Sequence, residues 1–219
     1  LLYDGVDLAQ PRRVGEGGFL VIRRVFASLV VMGVALALGS GLAFAATVFS
    51  GSGDDRIQGT NRPDLLDGGA GDDRIFGRGG GDNRRKNGAL LGGEGDDRMY
   101  GGKGDDDMGG GGARGNLGEE GKDRMFGQNG DDVMFGDAGS DRIHGGNGDD
   151  EIADGEFDGG VTDYLYGGGG DDLFLPVNTP TAVKDVIHCG GGYDTVYVDS
   201  ADKTFNDCER VVKGIPPPR

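Results

Sequence analysis

"GGAGDDRIF" (68–76), "GGEGDDRMY" (92–100) and "GQNGDDVMF" (127–135) repeat one pattern. Glycine stands at the first, second and fourth positions, with one substitution, aspartate at the sixth and an apolar residue at the eighth. Extended along the chain, this nine-residue frame takes in "SGSGDDRIQ" (50–58), "GTNRPDLLD" (59–67) and "GRGGGDNRR" (77–85), which puts Arg84 at the apolar position. After "KNGALL" it resumes with "GGKGDDDMG" (101–109), then a degenerate "GGGARGNL" (110–117) and four units in unbroken register from 118 to 153. "DGEF" and "PVNT" interrupt the last units, which end at Tyr197. Fourteen units keep aspartate at position six, a regularity that argues against a disordered chain.

A nine-residue unit has room for one tight turn and one short strand. Glycines suit the turn, where φ > 0 is cheap only for them. Triplets such as "RIF" and "VMF" suit a strand whose middle residue points inward. Three residues cannot stand alone, so the reading is an all-β parallel solenoid with two short strands per eighteen-residue coil. Its predicted core is Ile57, Leu66, Ile75, Met99, Met108, Met125, Met134, Ile143, Ile152, Leu165, Phe174, Ile187 and Val196. One apolar residue per nine is a thin core, and something besides apolar burial must hold the coils.

The stacked aspartates indicate what. In the gap-free register Asp55 lies under Asp73, Asp64 under Asp82, Asp123 under Asp141 and Asp132 under Asp150. Carboxylates at strand spacing, about 4.8 Å, repel unless a cation lies between them. Calcium accepts six to eight hard oxygen ligands, whereas magnesium demands tighter octahedral geometry and soft metals want Cys or His. The composition agrees: 38 Asp and Glu against 22 Lys and Arg give a net charge of −16, with 49 glycines among 219 residues. That sign disfavours nucleic acid.

The pattern G-G-x-G-x-D-x-U-x, with U apolar, resembles the hemolysin-type calcium-binding repeat, also called the RTX repeat. The resemblance covers about residues 50 to 197. It implies a parallel β-roll that binds several calcium ions through position-six aspartates and glycine-turn carbonyls of adjacent coils. The motif is nearly complete at Asp73, Asp97, Asp106, Asp132, Asp150 and Asp172, and the same role is expected of Asp55, Asp123, Asp141 and Asp194. Around Asp64, Asp82, Asp163 and Asp185 the glycines are worn. The carbonyls expected to serve are those of Gly69, Gly71, Gly93, Gly95, Gly102, Gly104, Gly130, Gly146, Gly148, Gly168 and Gly170, and the unit at 110–117 is expected to lack a ligand.

The rest of the chain reads as address and termination. Arg23 and Arg24, the apolar run Val25–Leu38 and "AFA" (43–45) form a secretory leader over 21–45, cleaved between Ala45 and Ala46; the rival is an uncleaved anchor. Residues 1–20 read as untranslated or disordered, 46–197 as the roll, 198–214 as a C-terminal cap and 215–219 as a disordered tail. Export makes a Cys189–Cys208 disulfide the expectation, closing a loop of about 20 residues worth about 3 kcal/mol in the chain-entropy account; two free thiols are the alternative. The resemblance implies that these cysteines staple the cap.

The function expected is that of a secreted, extracellular calcium-binding protein that folds on the ion, with no enzyme activity and no membrane span once the leader is gone. Adhesion or matrix binding is a second class, motivated by the aromatics at position nine: Phe76, Tyr100, Phe126, Phe135, Tyr166 and Tyr197. A secreted hydrolase is a third, without a Ser-His-Asp or Cys-His set to carry it. His144 and His188, also at position nine, are expected on the surface, and Arg56, Arg74, Arg98, Arg124 and Arg142 share position seven as a solvated stripe.

Overall fold

A computed structural model of the chain describes residues 45–84, 88–111, 120–155, 161–176 and 182–214. The leader and the C-terminal tail expected above lie outside them, apart from Ala45. Among the described residues there is no helix long and apolar enough to cross a membrane.

The repeats wind into a β-roll with two parallel sheets. Nine strands form the first: Thr47–Phe49, Leu65–Ala70, Ala89–Glu94, Asp107–Gly109, Val133–Phe135, Glu151–Ala153, Leu173–Leu175, Thr195–Val198 and Arg210–Lys213. Eight form the second: Arg56–Gln58, Arg74–Phe76, Arg98–Lys103, Arg124–Asn129, Arg142–Asn147, Tyr164–Gly169, Val186–Gly191 and Lys203–Thr204. Glu120–Gly121 and Ala138–Gly139 make a small extra pair. Successive units alternate between the sheets, so each strand pairs with the unit two further on; Ile57 stacks on Ile75 and Met134 on Ile152.

All thirteen expected core residues are buried, twelve of them at 2 % exposure or less. The expected register fails at one place. Ala89, Leu90 and Leu91 pair with Leu65, Leu66 and Asp67, so Leu90 fills the apolar position and Arg84 is exposed. The extra residues therefore enter directly after Asp82, and "ALL" is a strand rather than part of an interruption. The physical reason is plain: a guanidinium buried without a partner costs far more than lengthening the connection between two strands by six residues. The chain beyond Val198 continues the winding, with Lys203–Thr204 on Val186–Ile187 and Arg210–Lys213 on Thr195–Val198. Cys189 and Cys208 are joined in a disulfide that ties this last coil to the one before it.

Leu90→Ala is expected to destabilise the folded protein by about 2–5 kcal/mol, whereas Arg84→Ala is expected to stay within about 0.5 kcal/mol. Denaturant melts of the two variants check the register, and the opposite ranking would restore the uninterrupted frame.

Candidate metal centre

Every position-six aspartate falls into one of two columns, one along each turn edge of the roll. The first runs Asp55, Asp73, Asp97, Asp123, Asp141, Asp163 and Asp185. The second runs Asp64, Asp82, Asp106, Asp132, Asp150, Asp172 and Asp194. The link is the same throughout: the backbone N–H of one aspartate donates to Oδ1 of the next in its column, at 2.6–2.9 Å. The sequence separation is 18 where the frame is gap-free, and 22, 24 or 26 across the interruptions. Inserted residues thus leave the column unbroken. Gly110 serves as first glycine to Asp123, so that column passes the degenerate unit; residues 112–117 of that unit lie outside the described set.

With Oδ1 engaged, Oδ2 is what remains for a ligand. In Asp73, Asp97, Asp132, Asp141, Asp150, Asp172 and Asp194 this atom is buried and accepts no hydrogen bond. In all of these but Asp194, whose unit begins with Cys189, it lies where a side chain on the unit's first glycine would stand. A Cβ on Gly145 would meet Asp150 Oδ2 at 2.1 Å and the Gly167 carbonyl of the next coil at 2.7 Å. Oxygens from two coils therefore converge beside each first glycine. At the second and fourth glycines a carbonyl of the preceding coil approaches: those of Gly69 and Gly71 point at Gly93 and Gly95, that of Gly104 at Gly130, and those of Gly146 and Gly148 at Gly168 and Gly170. Gly102 instead receives the carbonyl of Arg78.

Buried acids without counter-charges resist ionisation. Burial is the largest cause, opposed by the backbone N–H bond, and neighbouring carboxylates in the column push the same way as burial. Asp73 is raised to about 6, Asp97, Asp150 and Asp172 to about 7, and Asp132 to about 8. Asp123 and Asp141 also reach about 8. A set of hard oxygens from carboxyl groups and backbone carbonyls matches calcium, whose charge would favour ionisation of the acids.

Several members escaped the sequence reading. Asp54, Asp72 and Asp96, and on the other edge Asp105, Asp131, Asp149 and Asp171, sit at position five and form outer acidic columns. Their Oδ1 atoms accept the N–H of the following coil, opposite in sense to the inner columns. The recurring "GDD" was their signal. Asp202 and Glu209 extend the inner columns by accepting from the N–H groups of Asp185 and Asp194 at 3.2 and 3.0 Å. Asp154 takes the place of a first glycine and brings a third carboxylate within 4.8 Å of Asp163 and Asp185.

A family model, the RTX calcium-binding nonapeptide repeat, matches the chain in four copies over residues 49–83, 87–115, 117–152 and 159–175. No curated protein and no solved structure matches it.

The raised acids give a pH test with a definite sign. Their folded pKa lies above the unfolded value of 3.8, so in metal-free protein their contribution is fully present below about pH 4 and is lost as pH rises through 6 to 8. Calcium-stripped protein should therefore melt at a lower temperature at pH 8 than at pH 4. Protons and calcium compete for the same oxygens, so calcium affinity should rise over the same interval. A melting temperature of stripped protein that climbs from pH 4 to 8 would contradict the geometry.

Proposed function

We propose that this chain, which belongs to the RTX calcium-binding nonapeptide repeat family, is a secreted protein whose roll forms on binding several calcium ions between successive turns. One observation carries the reading: two files of carboxylates that, beyond Asp55 at the start of the first, are buried with one oxygen on a backbone amide and, in at least seven of them, the other without a hydrogen bond. Calcium supplies the positive charge that such files need in order to ionise.

The chain's own groups divide the work. Position-six N–H and Oδ1 set the spacing of the coils. Oδ2 atoms, with the carbonyls of the glycine turns, are the proposed ligands: Asp73, Asp97, Asp132, Asp150 and Asp172 in the complete motifs, and Asp154 as an added carboxylate beside Asp163 and Asp185. First glycines leave the space that the carboxylates occupy. Ligands that exist as a set only in the folded chain bind it selectively and draw folding forward by mass action. The leader at 21–45 and the disulfide support an oxidising destination, where calcium is plentiful. The assignment is to binding and structure, not catalysis.

Far-UV circular dichroism in chelator, followed by excess calcium, tests the coupling. At pH 8, and at a temperature above the melting point of the stripped protein, the expected outcome is a disordered spectrum that turns to β-sheet as calcium is added. Asp150→Asn, which removes one anionic ligand from the second column, should move the calcium midpoint upward several-fold. A strand spectrum of equal strength in chelator would remove folding on the ion from the account.

A further inference from the structure

The two outer faces of the roll differ in charge. On the second sheet Arg56, Arg74, Arg98, Arg124 and Arg142 stand in exact strand register, one per coil. Like charges directly opposite one another in a sheet are destabilising. Among the described residues none of the five lies within 4.0 Å of a carboxylate, although the protein carries a net charge of −16. Arg56 and Arg142 lie against the rings of Phe76 and Tyr164, at 4.3 and 5.4 Å. The corresponding column on the first sheet contains Asp107, Val133, Glu151 and Leu173.

Two residues along each strand runs a second file, of rings. Phe76, Tyr100, Phe126, His144, Tyr166, His188 and Phe205 stack with centroids 3.7–5.3 Å apart and planes within 17° of parallel. Stacking hides the ring faces against one another and leaves their edges outward, so the file makes a rigid wall and offers no open platform for bases. Burial and the charge of Arg142 both lower the pKa of His144, which keeps that member of the wall neutral.

We infer that the arginine column with its aromatic wall is a docking face for an extended carboxylated polysaccharide. The column repeats at strand spacing, about 4.8 Å, and a polyuronate chain offers a regular series of carboxylates, one per sugar. Guanidinium groups bind carboxylates in a planar, bidentate manner that lysine cannot match. The fold applies one device twice: stacked acids inside each turn take cations, and stacked arginines outside take a polyanion. The acids of the turns repel such a polymer until they are neutralised, so docking depends on the calcium-loaded form and to that extent rests on the function proposed above.

Calorimetry with the calcium-loaded protein and a short oligogalacturonate tests the face. The expected result is binding that weakens as salt rises, is absent for the methyl-esterified oligomer and falls at least tenfold in an Arg74→Gln, Arg98→Gln, Arg124→Gln triple variant. Circular dichroism with calcium separates the two readings, because the triple variant loses stacked like charges and should fold at least as readily as the parent. Equal binding of the esterified oligomer, unchanged binding by the triple variant, or tighter binding of a single-stranded oligonucleotide overturns the inference. Failure of calcium to fold the parent would instead count against the calcium reading.

Discussion

The fold depends on carboxylates held in single file inside it. Each coil is thin, with one apolar side chain per repeat facing the interior, and such a core cannot by itself offset the ordering of a glycine-rich backbone. The files add a directional link, the N–H of one aspartate to the carboxylate of the next. The same link creates the electrostatic problem of buried like charges, which drives the acids toward neutrality or toward a cation. A proton is one solution to that constraint, and the calcium proposed above is another.

The constraint explains the local chemistry of the turns. A first glycine suits the turn because an aspartate oxygen stands where its side chain would be, as Asp132 Oδ2 does at Gly127; Ser50, Asp154 and Cys189 are exceptions at this position. The second position is left-handed even where it is not glycine, at Arg78, Gln128 and Asp137, with φ of 78°, 83° and 66°. A substituted second position thus leaves the acid file unbroken. Inserted residues are tolerated too, provided they leave between one turn and its neighbours, as the separations of 22 to 26 show. Contacts in a solenoid run between adjacent coils, so a local excursion does not spread.

The roll and the acid files were legible in the sequence because both follow from a strict period, and a period survives the loss of individual glycines. Less was legible wherever the period slipped. Arg84 held the apolar position of an ungapped frame, and only packing reveals that Leu90 replaces it. Asp202 and Glu209 continue the inner files with no glycine turn to announce them. Asp154 was set aside as part of an insertion, yet it is buried beside Asp163. The position-five acids were visible but read as composition, since a spacing rule does not show which way a hydrogen bond runs. The histidines stand on the outer face of the second sheet, as expected, and are half-buried there as members of the ring file, because the position fixes the face while stacking decides the burial.

The central claim is that cations lie between successive turns and touch the second oxygen of the filed aspartates. Anomalous diffraction from crystals grown in calcium tests it most directly. The account predicts peaks in two rows along the turn edges, each in contact with Oδ2 atoms such as those of Asp73, Asp97, Asp132 and Asp150. Well-ordered turns with no peaks in either row, or peaks confined to the outer acids at position five, would contradict it.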